Sequence, residues 1–241
     1  MRLKDITMDG KVAVVTGGSQ GIGRTISTAL HACGARLVIA DINADTAAEL
    51  ADDFAASGGE ALAVRTDVTD AGAVDAMVRQ AVDRFGTIDV LVNNAGGASG
   101  SDFRIGRVLN ITENDWDKTI AVNLKSTFLC SQAAGRVMWE KKAGSIINMA
   151  SITASIPWAG MPAYSAAKAA IVSLTRSMAL ELAPHVRVNA LAPGLVETPR
   201  TSQNRRAEQL EQLLTNVPLQ RMGQPEEIAD IALYLASDVS G

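Results

Sequence analysis

Short apolar runs recur along the chain and are separated by longer amphipathic stretches. The runs are rich in Val, Ile and Leu and do not alternate with polar residues, which is typical of strands buried on both faces of a parallel sheet. We predict six strands, at residues 11–16, 36–40, 61–65, 88–92, 145–149 and 186–191.

Helical patterns fill the intervals between these strands. We predict helices over about 21–33, 44–56, 71–85, 112–138, 162–182 and 225–236. Thr112 and Pro225, each followed by acidic residues, are start signals for the fourth and the last helix. This alternation predicts an α/β fold, a single Rossmann-like doubly wound parallel sheet with helices on both faces. The glycine-rich stretch 96–106 is predicted to be a surface loop.

Composition narrows the class of protein. The chain has 241 residues, is 47% hydrophobic and carries a net charge of −4, with no basic stripe of the kind that nucleic acid requires. No apolar stretch approaches the roughly 20 residues of a membrane span, and the N-terminus does not resemble a signal peptide, so we expect a cytoplasmic protein. Cys33 and Cys130 have neither disulfide nor metal-ligand spacing; we expect two buried thiols, a reducing compartment and no metal.

A glycine-rich turn directly follows the first predicted strand, with the spacing Gly-x3-Gly-x-Gly at Gly17, Gly21 and Gly23. Glycine allows a tight turn and close approach of the backbone to a ligand. The helix that follows would direct its N-terminal N–H groups at the same point, which suits a pyrophosphate. The alternative is a tight strand-to-helix turn without a ligand.

Carboxylates follow the second and third strands. Asp41 lies about 20 residues past the glycine turn, where an acid accepts hydrogen bonds from an adenosine ribose 2′-OH and repels a 2′-phosphate. Position 20 is Gln and no Arg or Lys occurs in residues 42–44, so NAD is favoured over NADP. Asp67 is a second acid that could bind the adenine amino group. The alternatives are that Asp41 caps the next turn and that Asp67 is a helix N-cap.

Tyr164 and Lys168 are four residues apart in a predicted helix and therefore share one face. An ammonium beside a phenol, together with the positive nicotinamide of an oxidised cofactor, would lower the phenol pKa and make Tyr164 an acid/base at neutral pH. Ser151 follows the fifth strand, at the end of the sheet where α/β folds bind ligands, and could hold a substrate oxygen. Considered separately, Tyr164 and Lys168 could be an ordinary pair on the protein surface, and Ser151 could be a turn residue.

These motifs together resemble the short-chain dehydrogenase/reductase (SDR) family. The glycine turn, Asn93 to Gly96, Asn123, Ser151, the Tyr164–Lys168 pair and Pro193-Gly194 occur in the order and spacing of that family, from about Gly10 onward. The resemblance implies an oxidoreductase that transfers a hydride between NAD and a secondary alcohol or ketone. It also implies that residues 1–241 are a single dinucleotide-binding and catalytic domain in a homotetramer or homodimer.

The resemblance assigns roles to individual residues. Tyr164 would exchange a proton with the substrate oxygen, Lys168 would lower its pKa and bind the nicotinamide ribose, and Ser151 would orient the reacting oxygen. Asn123 would hold a water that links Lys168 to solvent. Asn93 and Pro193 could instead only shape turns. The cofactor contacts implied are Gly17, Ser19, Gln20, Gly21, Ile22, Gly23, Asp41, Ile42, Asp67, Val68, Asn94, Ala95, Gly96, Tyr164, Lys168, Pro193, Gly194, Val196 and Thr198.

The end of the chain departs from the family pattern. Family members usually continue past residues 233–238 into one more strand with an Asp-Gly-Gly, whereas this sequence stops at Gly241. We therefore expect the final strand to be absent and the sixth strand to form an open edge. Two explanations of the missing strand stay open: the sequence is truncated, or the protein differs at its subunit interface.

The substrate is not specified by these motifs. Residues 195–216 are expected to fold over it, with Trp158 and Met161 as an apolar wall. Alternatives to the NAD-dependent alcohol dehydrogenase are a 3-oxoacyl-thioester reductase using NADPH, which Asp41 disfavours, and a non-catalytic dinucleotide-sensing protein. Five arginines could meet an anionic substrate or be solvated surface charge: Arg104, Arg107, Arg200, Arg205 and Arg206.

Overall fold

A computed structural model describes residues 6–156, 158–202 and 213–241 of the chain. Six strands form one sheet in the order β3-β2-β1-β4-β5-β6, and all five pairings are parallel. The fold class predicted from the sequence is confirmed. The strands are β1 (Val12–Thr16), β2 (Arg36–Asp41), β3 (Ala61–Arg65), β4 (Val90–Asn93), β5 (Gly144–Met149) and β6 (Val186–Leu191).

Helices cover both faces of the sheet. They are α1 (Gly21–Ala32), α2 (Ala44–Ala56), α3 (Ala71–Phe85), α4 (Glu113–Ile120), α5 (Ser126–Glu140), α6 (Pro162–Glu181), the short α7 (Pro199–Ser202) and α8 (Pro225–Ala236). Successive residues of β1 enter opposite halves of the core. Val12 and Val14 pack on the side of α3 and α5, and Ala13 and Val15 pack on the side of α1 and α8. Burial on both faces explains why the strands read as continuous apolar runs.

The strand order reverses between β1 and β4, because β2 and β3 continue to one side of β1 and β5 and β6 to the other side of β4. Ligands of open α/β sheets bind at such a reversal, beyond the carboxyl ends of the strands. The topology therefore predicts that a ligand binds at the loops that follow β1 and β4.

The fourth predicted helix is not one regular helix. Thr112 caps α4 through a hydrogen bond from the Asp115 amide (3.1 Å), but a π-helical turn, Ala121–Lys125, separates α4 from α5. The Thr127 hydroxyl donates to the Asn123 carbonyl (2.7 Å), and the Ser126 hydroxyl donates to the Val122 carbonyl (2.7 Å). Side-chain hydroxyls of this kind compete with the helical backbone, and π turns are frequent at functional sites.

The two cysteines differ from the prediction in part. Both are free thiols, but Cys130 is buried whereas Cys33 is partly exposed, because it lies just past the end of α1. Burial raises the pKa of the Cys130 thiol to about 12.

In the part of the chain that the structure describes, no helix is long and apolar enough to cross a membrane, and no cluster of side chains could hold a metal ion.

Two helical glycines should respond oppositely to substitution by alanine. A Cβ at Gly135 in α5 would lie 3.9 Å from Ile146 Cδ1 and Leu182 Cδ1, whereas one at Gly23 in α1 would lie 2.0 Å from the Gly17 carbonyl oxygen. We expect Gly135→Ala to stabilise the fold by about 0.5–1 kcal/mol through helix propensity. Gly23→Ala should destabilise it by about 1–3 kcal/mol. Urea unfolding measures both, and equal effects would contradict the packing described here.

Candidate active site

The loop after β1 is held against the end of β4. Asn94 Nδ2 donates to the carbonyl oxygens of Thr16 and Gly17, at 3.0 Å each. The Thr16 hydroxyl accepts from the amides of Asn94 (3.0 Å) and Ala95 (3.1 Å). Gly23 packs so closely on this turn that a side chain would overlap it. The glycines therefore serve close backbone packing at the point where the strand order reverses.

The N-terminus of α1 differs from those of the next three helices. Gln20, its N-cap, makes no side-chain capping hydrogen bond. By contrast, the side chains of Asn43, Asp70 and Thr112 accept from the first turns of α2, α3 and α4. Amides that the protein leaves uncapped at a glycine turn suit an anionic group such as a pyrophosphate.

The segment after β6 reaches the same turn. A Cβ at Gly21 would lie 3.7 Å from Thr198, so these two predicted cofactor residues face each other. Val196 is buried, and the Pro193 carbonyl accepts from the Ile152 amide at 3.0 Å. A Cβ at Gly194 would meet nothing within 4 Å. The predicted segment thus lies beside the glycine turn and the loop that carries Ser151.

Asp41 ends β2 and turns its carboxylate toward the glycine turn. Its Oδ2 accepts from the Ser19 hydroxyl (2.7 Å) and amide (3.2 Å), while Oδ1 accepts from the Asn43 amide (3.1 Å). Asp41 is nearly buried, and the helix N-cap that follows is Asn43. The carboxylate therefore makes a local turn contact and also joins β2 to the glycine turn.

Asp67 lies at the end of β3 and is exposed. Its Oδ1 accepts from the hydroxyl (2.7 Å) and the amide (2.9 Å) of Thr69, whereas Asp70 caps α3. The alternative of Asp67 as the helix N-cap is therefore wrong. Its neighbour Val68 is buried, and Ile42, beyond β2, is exposed.

Lys168 is buried in the middle of α6, with 4% of its surface exposed. Its ammonium donates to the carbonyl oxygen of Met149, the last residue of β5, at 2.7 Å. It also lies 5.4 Å from the centre of the Tyr164 ring. Burial lowers the pKa of Lys168 to about 7. The pair is therefore not the surface pair that the sequence left open.

Tyr164 is directed toward Ser151. Burial raises the pKa of the phenol above its ordinary value of 10.0, while a hydrogen bond with Ser151 and the positive charge of Arg200 lower it in part. The Ser151 hydroxyl also accepts from the Thr153 hydroxyl at 3.1 Å. In the protein alone, the phenol pKa is thus raised. The lowering that we expected from Lys168 and an oxidised nicotinamide stays a prediction for the complex.

Asn123 is fully buried in the π-helical turn and holds the loop after β4. Its Nδ2 donates to the carbonyl oxygens of Gly97 and Thr119, both at 2.9 Å, and its Oδ1 accepts from the Gly97 amide at 3.1 Å. Gly96 has φ +150°, and a side chain there would overlap the Asn123 amide. Asn123 thus fixes the backbone at the edge of the site.

A buried polar chain beneath the site was missed by the sequence reasoning. Asn93 Nδ2 donates to Asn148 Oδ1 and to the Ser131 hydroxyl, both at 2.8 Å, and Asn148 Nδ2 donates to the Thr175 hydroxyl at 2.9 Å. The chain joins β4, β5, α5 and α6, so Asn93 does more than shape a turn. Its signal in the sequence is Asn148, a polar residue that interrupts the apolar end of a strand after Ile146 and Ile147.

The arginines take different positions. Arg200 Nη1 donates to the Gly96 carbonyl at 3.0 Å, and Arg104 lines a small pocket with Met161 and Tyr164. Arg107 is exposed, and Trp158 is 40% exposed. Arg205 and Arg206 lie outside the described residues.

The fold and the site define a dinucleotide-binding α/β oxidoreductase, and comparisons with known proteins agree. A family profile described as enoyl-(acyl carrier protein) reductase matches residues 17–241. The chain is 42% identical over 235 residues to the (2S)-[(R)-hydroxy(phenyl)methyl]succinyl-CoA dehydrogenase subunit BbsD of Thauera aromatica, covering 97% of this chain and 92% of that protein.

Two further likenesses point the same way. The chain is 40% identical over 233 residues to a 3-oxoacyl-[acyl-carrier-protein] reductase of Synechocystis, covering 96% of this chain and 91% of that one. It superposes with a TM-score of 0.92 and 33% identity on 7α-hydroxysteroid dehydrogenase complexed with NADH and 7-oxo glycochenodeoxycholic acid, covering 100% and 92% of the two chains. The chain belongs to the short-chain dehydrogenase/reductase family. It is therefore an oxidoreductase of a family that binds a nicotinamide dinucleotide.

Burial of Lys168 should make stability depend on pH. Its pKa is about 7 in the folded protein against an ordinary 10.5, so within this window the unfolded chain binds a proton that the folded protein does not. The unfolding free energy should therefore rise with pH, by up to about 1.4 kcal/mol per unit. Urea unfolding of the cofactor-free protein between about pH 7.5 and pH 8.5 measures the rise.

Lys168→Met should lose this rise, because the buried titrating group is gone. Lys125→Met, at an exposed lysine, is the matched control and should keep it. The same pH dependence in the Lys168→Met protein as in the wild type would show that another group is responsible.

Proposed function

We propose that this protein is an NAD-dependent dehydrogenase or reductase that interconverts a secondary alcohol and a ketone. The carrying observation is that the Lys168 ammonium is buried on the Met149 carbonyl, 5.4 Å from the centre of the Tyr164 ring, and that the Ser151 side chain acts on the phenol and lowers its pKa in part. Three polar groups from α6 and from the end of β5 thus converge at the edge of the sheet where this fold binds ligands.

The residues present suit a nicotinamide dinucleotide. The uncapped first turn of α1, the close-packed glycines and the nearby Thr198 would hold the pyrophosphate, and Asp41 would bind the adenosine ribose. Asn94, Ala95 and Gly96 would border the nicotinamide half. When bound, the cofactor supplies or accepts the hydride.

The proton is exchanged by Tyr164. In alcohol oxidation the phenolate would take the hydroxyl proton, and in ketone reduction the phenol would return it to the substrate oxygen. Ser151 would donate a hydrogen bond to the same oxygen and so orient it. The Lys168 ammonium, fixed on the Met149 carbonyl, would favour the phenolate electrostatically. Asn123 would keep the wall of the site in place through Gly97.

The choice of NAD over NADP is supported by charge. The Asp41 carboxylate faces the glycine turn, and a 2′-phosphate placed beside it would be repelled. A specific likeness favours the second candidate, a 3-oxoacyl-thioester reductase, because the Synechocystis relative carries that activity in its name. The two candidates differ in cofactor, so the Asp41 experiment below separates them. The complete set of Ser151, Tyr164, Lys168 and Asn123 disfavours a non-catalytic sensor.

We also infer that residues 1–241 act as one catalytic unit, since the proposed cofactor and proton-transfer residues come from the whole length of the sheet. Assembly into a homodimer or homotetramer and a cytoplasmic location stay predictions. Exposed aromatic residues at Trp116 on α4 and Phe128 on α5 are consistent with assembly.

Tyr164→Phe should lower kcat/KM by about a thousandfold, because the acid/base is lost. The Kd for NADH, measured by fluorescence, should change less than about twofold, since the ring remains. Tyr234→Phe on α8 is the matched control and should keep activity. A Tyr164→Phe enzyme with wild-type turnover would remove the assigned acid/base.

Asp41→Asn removes the charge but retains an oxygen acceptor for Ser19. We expect the ratio of kcat/KM with NADPH to that with NADH to rise by about tenfold or more. Asp67→Asn, at an exposed carboxylate one strand away, should change the ratio much less. A wild-type enzyme that already prefers NADPH would overturn the NAD assignment and favour the thioester reductase.

A further inference from the structure

Thr153 makes two hydrogen bonds to the hydroxyl oxygen of Ser151. Its amide donates at 3.2 Å, and its own hydroxyl donates at 3.1 Å. A serine hydroxyl has two acceptor lone pairs and one O–H donor. Thr153 therefore occupies both lone pairs of Ser151, and only the O–H of Ser151 is left to bind another group.

The position of Ser151 itself is fixed by the backbone on either side of it. The Ala150 amide donates to the Leu191 carbonyl at 2.7 Å. The Ile152 amide donates to the Pro193 carbonyl at 3.0 Å. The loop that carries Ser151 is thus joined to the end of β6 and to the segment that follows it. What these bonds leave undetermined is the direction of the hydroxyl proton, which can rotate about the Cβ–Oγ bond.

The remaining donor of Ser151 acts on the proposed acid/base. The Ser151 side chain lowers the pKa of Tyr164 through a hydrogen bond, against the larger effect of burial, which raises it. A hydrogen bond lowers the pKa of a phenol when it favours the phenolate, and a phenolate oxygen can only accept. The direction of the effect therefore requires the Ser151 O–H to be the donor toward Tyr164.

The contact between Thr153 and Ser151 is shielded from solvent. Ser151 has 7% of its surface exposed, and Thr153 is partly buried. In such surroundings hydrogen bonds are stronger than in water, and successive donors in a chain polarise one another. Because the Thr153 O–H donates to Ser151 Oγ, the Ser151 O–H becomes a stronger donor in turn.

We propose that Thr153 is a positioning residue that makes Ser151 act only as a hydrogen-bond donor to the reacting oxygen. With both lone pairs of Ser151 occupied, a substrate alcohol cannot donate its proton to Ser151. That proton is therefore directed to Tyr164, while Ser151 binds the same oxygen as a donor. This inference rests on the proposed function, because it assigns Ser151 and Tyr164 to the reacting oxygen.

Thr153→Val tests the proposal, because it removes the hydroxyl and keeps the amide and the branched shape. The assay is the reduction of acetophenone, cyclohexanone and ethyl acetoacetate with NADH. We expect kcat for the best of these ketones to fall by about fivefold or more. The Kd for NADH should change less than about twofold, since the cofactor contacts remain.

Two further variants show whether the hydroxyl itself is responsible. Thr153→Ser keeps the hydroxyl and should retain kcat within about twofold of the wild type. Ser155→Ala removes an exposed hydroxyl two residues further along the same loop and is the matched control, with kcat expected to be unchanged. A kcat that Thr153→Val leaves unchanged overturns the proposal. So does an equal loss in Thr153→Val and Thr153→Ser.

A double-mutant cycle shows whether Thr153 acts through Ser151. In the Ser151→Ala background, Thr153→Val should change kcat by less than about twofold, because no serine hydroxyl is left to direct. The same loss in both backgrounds would overturn the proposal, since Thr153 would then act on the fold or on the substrate directly.

A titration of Tyr164 separates this proposal from the proposed function, because it needs no turnover. In the cofactor-free protein that carries Tyr234→Phe, Thr153→Val should raise the pKa of Tyr164 by about 0.3 or more, and should add nothing to the effect of Ser151→Ala. If no ketone is reduced but this pattern is found, Thr153 directs Ser151 as proposed and the dehydrogenase proposal fails. If ketones are reduced while Thr153→Val changes neither kcat nor this pKa, the dehydrogenase stands and the Thr153 proposal is overturned. A rise in pKa that persists beside Ser151→Ala also overturns it.

Discussion

The site depends on one buried cation, the Lys168 ammonium, held on a backbone carbonyl. Lys168 has 4% of its surface exposed, so keeping it protonated is costly, and its pKa of about 7 expresses that cost. The hydrogen bond to the Met149 carbonyl ties α6 to the end of β5, and the same helix places Tyr164 four residues earlier on the same face. The position of the phenol and its electrostatic surroundings thus follow from where the lysine is anchored.

Other polar contacts along the same edge of the sheet hold the elements around Lys168 and Tyr164 in position. Asn94 joins the glycine turn to β4, Asn123 fixes Gly97 from a π-helical turn, and Asn148 connects β5 to α6 through Thr175. Asn123 and Asn148 are buried and Asn94 is partly buried, and all three amides have defined partners. Such contacts rigidify a structure, because an unpaired buried amide would be penalised. The chemistry proposed for Tyr164 and Ser151 therefore rests on a polar layer spread over β1, β4, β5 and the helices that flank them.

The fold was largely predictable, because the spacing of hydrophobic residues and the local composition determine which segments form strands and helices. Strands such as β2, whose residues 37–40 are all apolar, read as continuous apolar runs, and caps such as Thr112 carry their own signal. The π-helical turn was not predictable, since it arises from hydroxyl and amide contacts to the backbone that no periodicity encodes. The convergence of Tyr164, Lys168 and Ser151 followed from topology and spacing. The hydrogen bond from Arg200 to Gly96 did not, because it joins a residue of α7 to a loop residue far away in the sequence.

The central claim is that Tyr164 is an acid/base whose phenolate is favoured by positive charge in a buried site. Its most direct test is an ultraviolet titration of the phenol, which is feasible because the chain has two tyrosines, and Tyr234→Phe leaves Tyr164 alone. The protein by itself should show a Tyr164 pKa above 10.0, as burial dictates. Saturation with NAD should lower that pKa by about one unit or more, because the positive nicotinamide ring then faces the phenol. A Tyr164 pKa that NAD leaves unchanged would contradict the account.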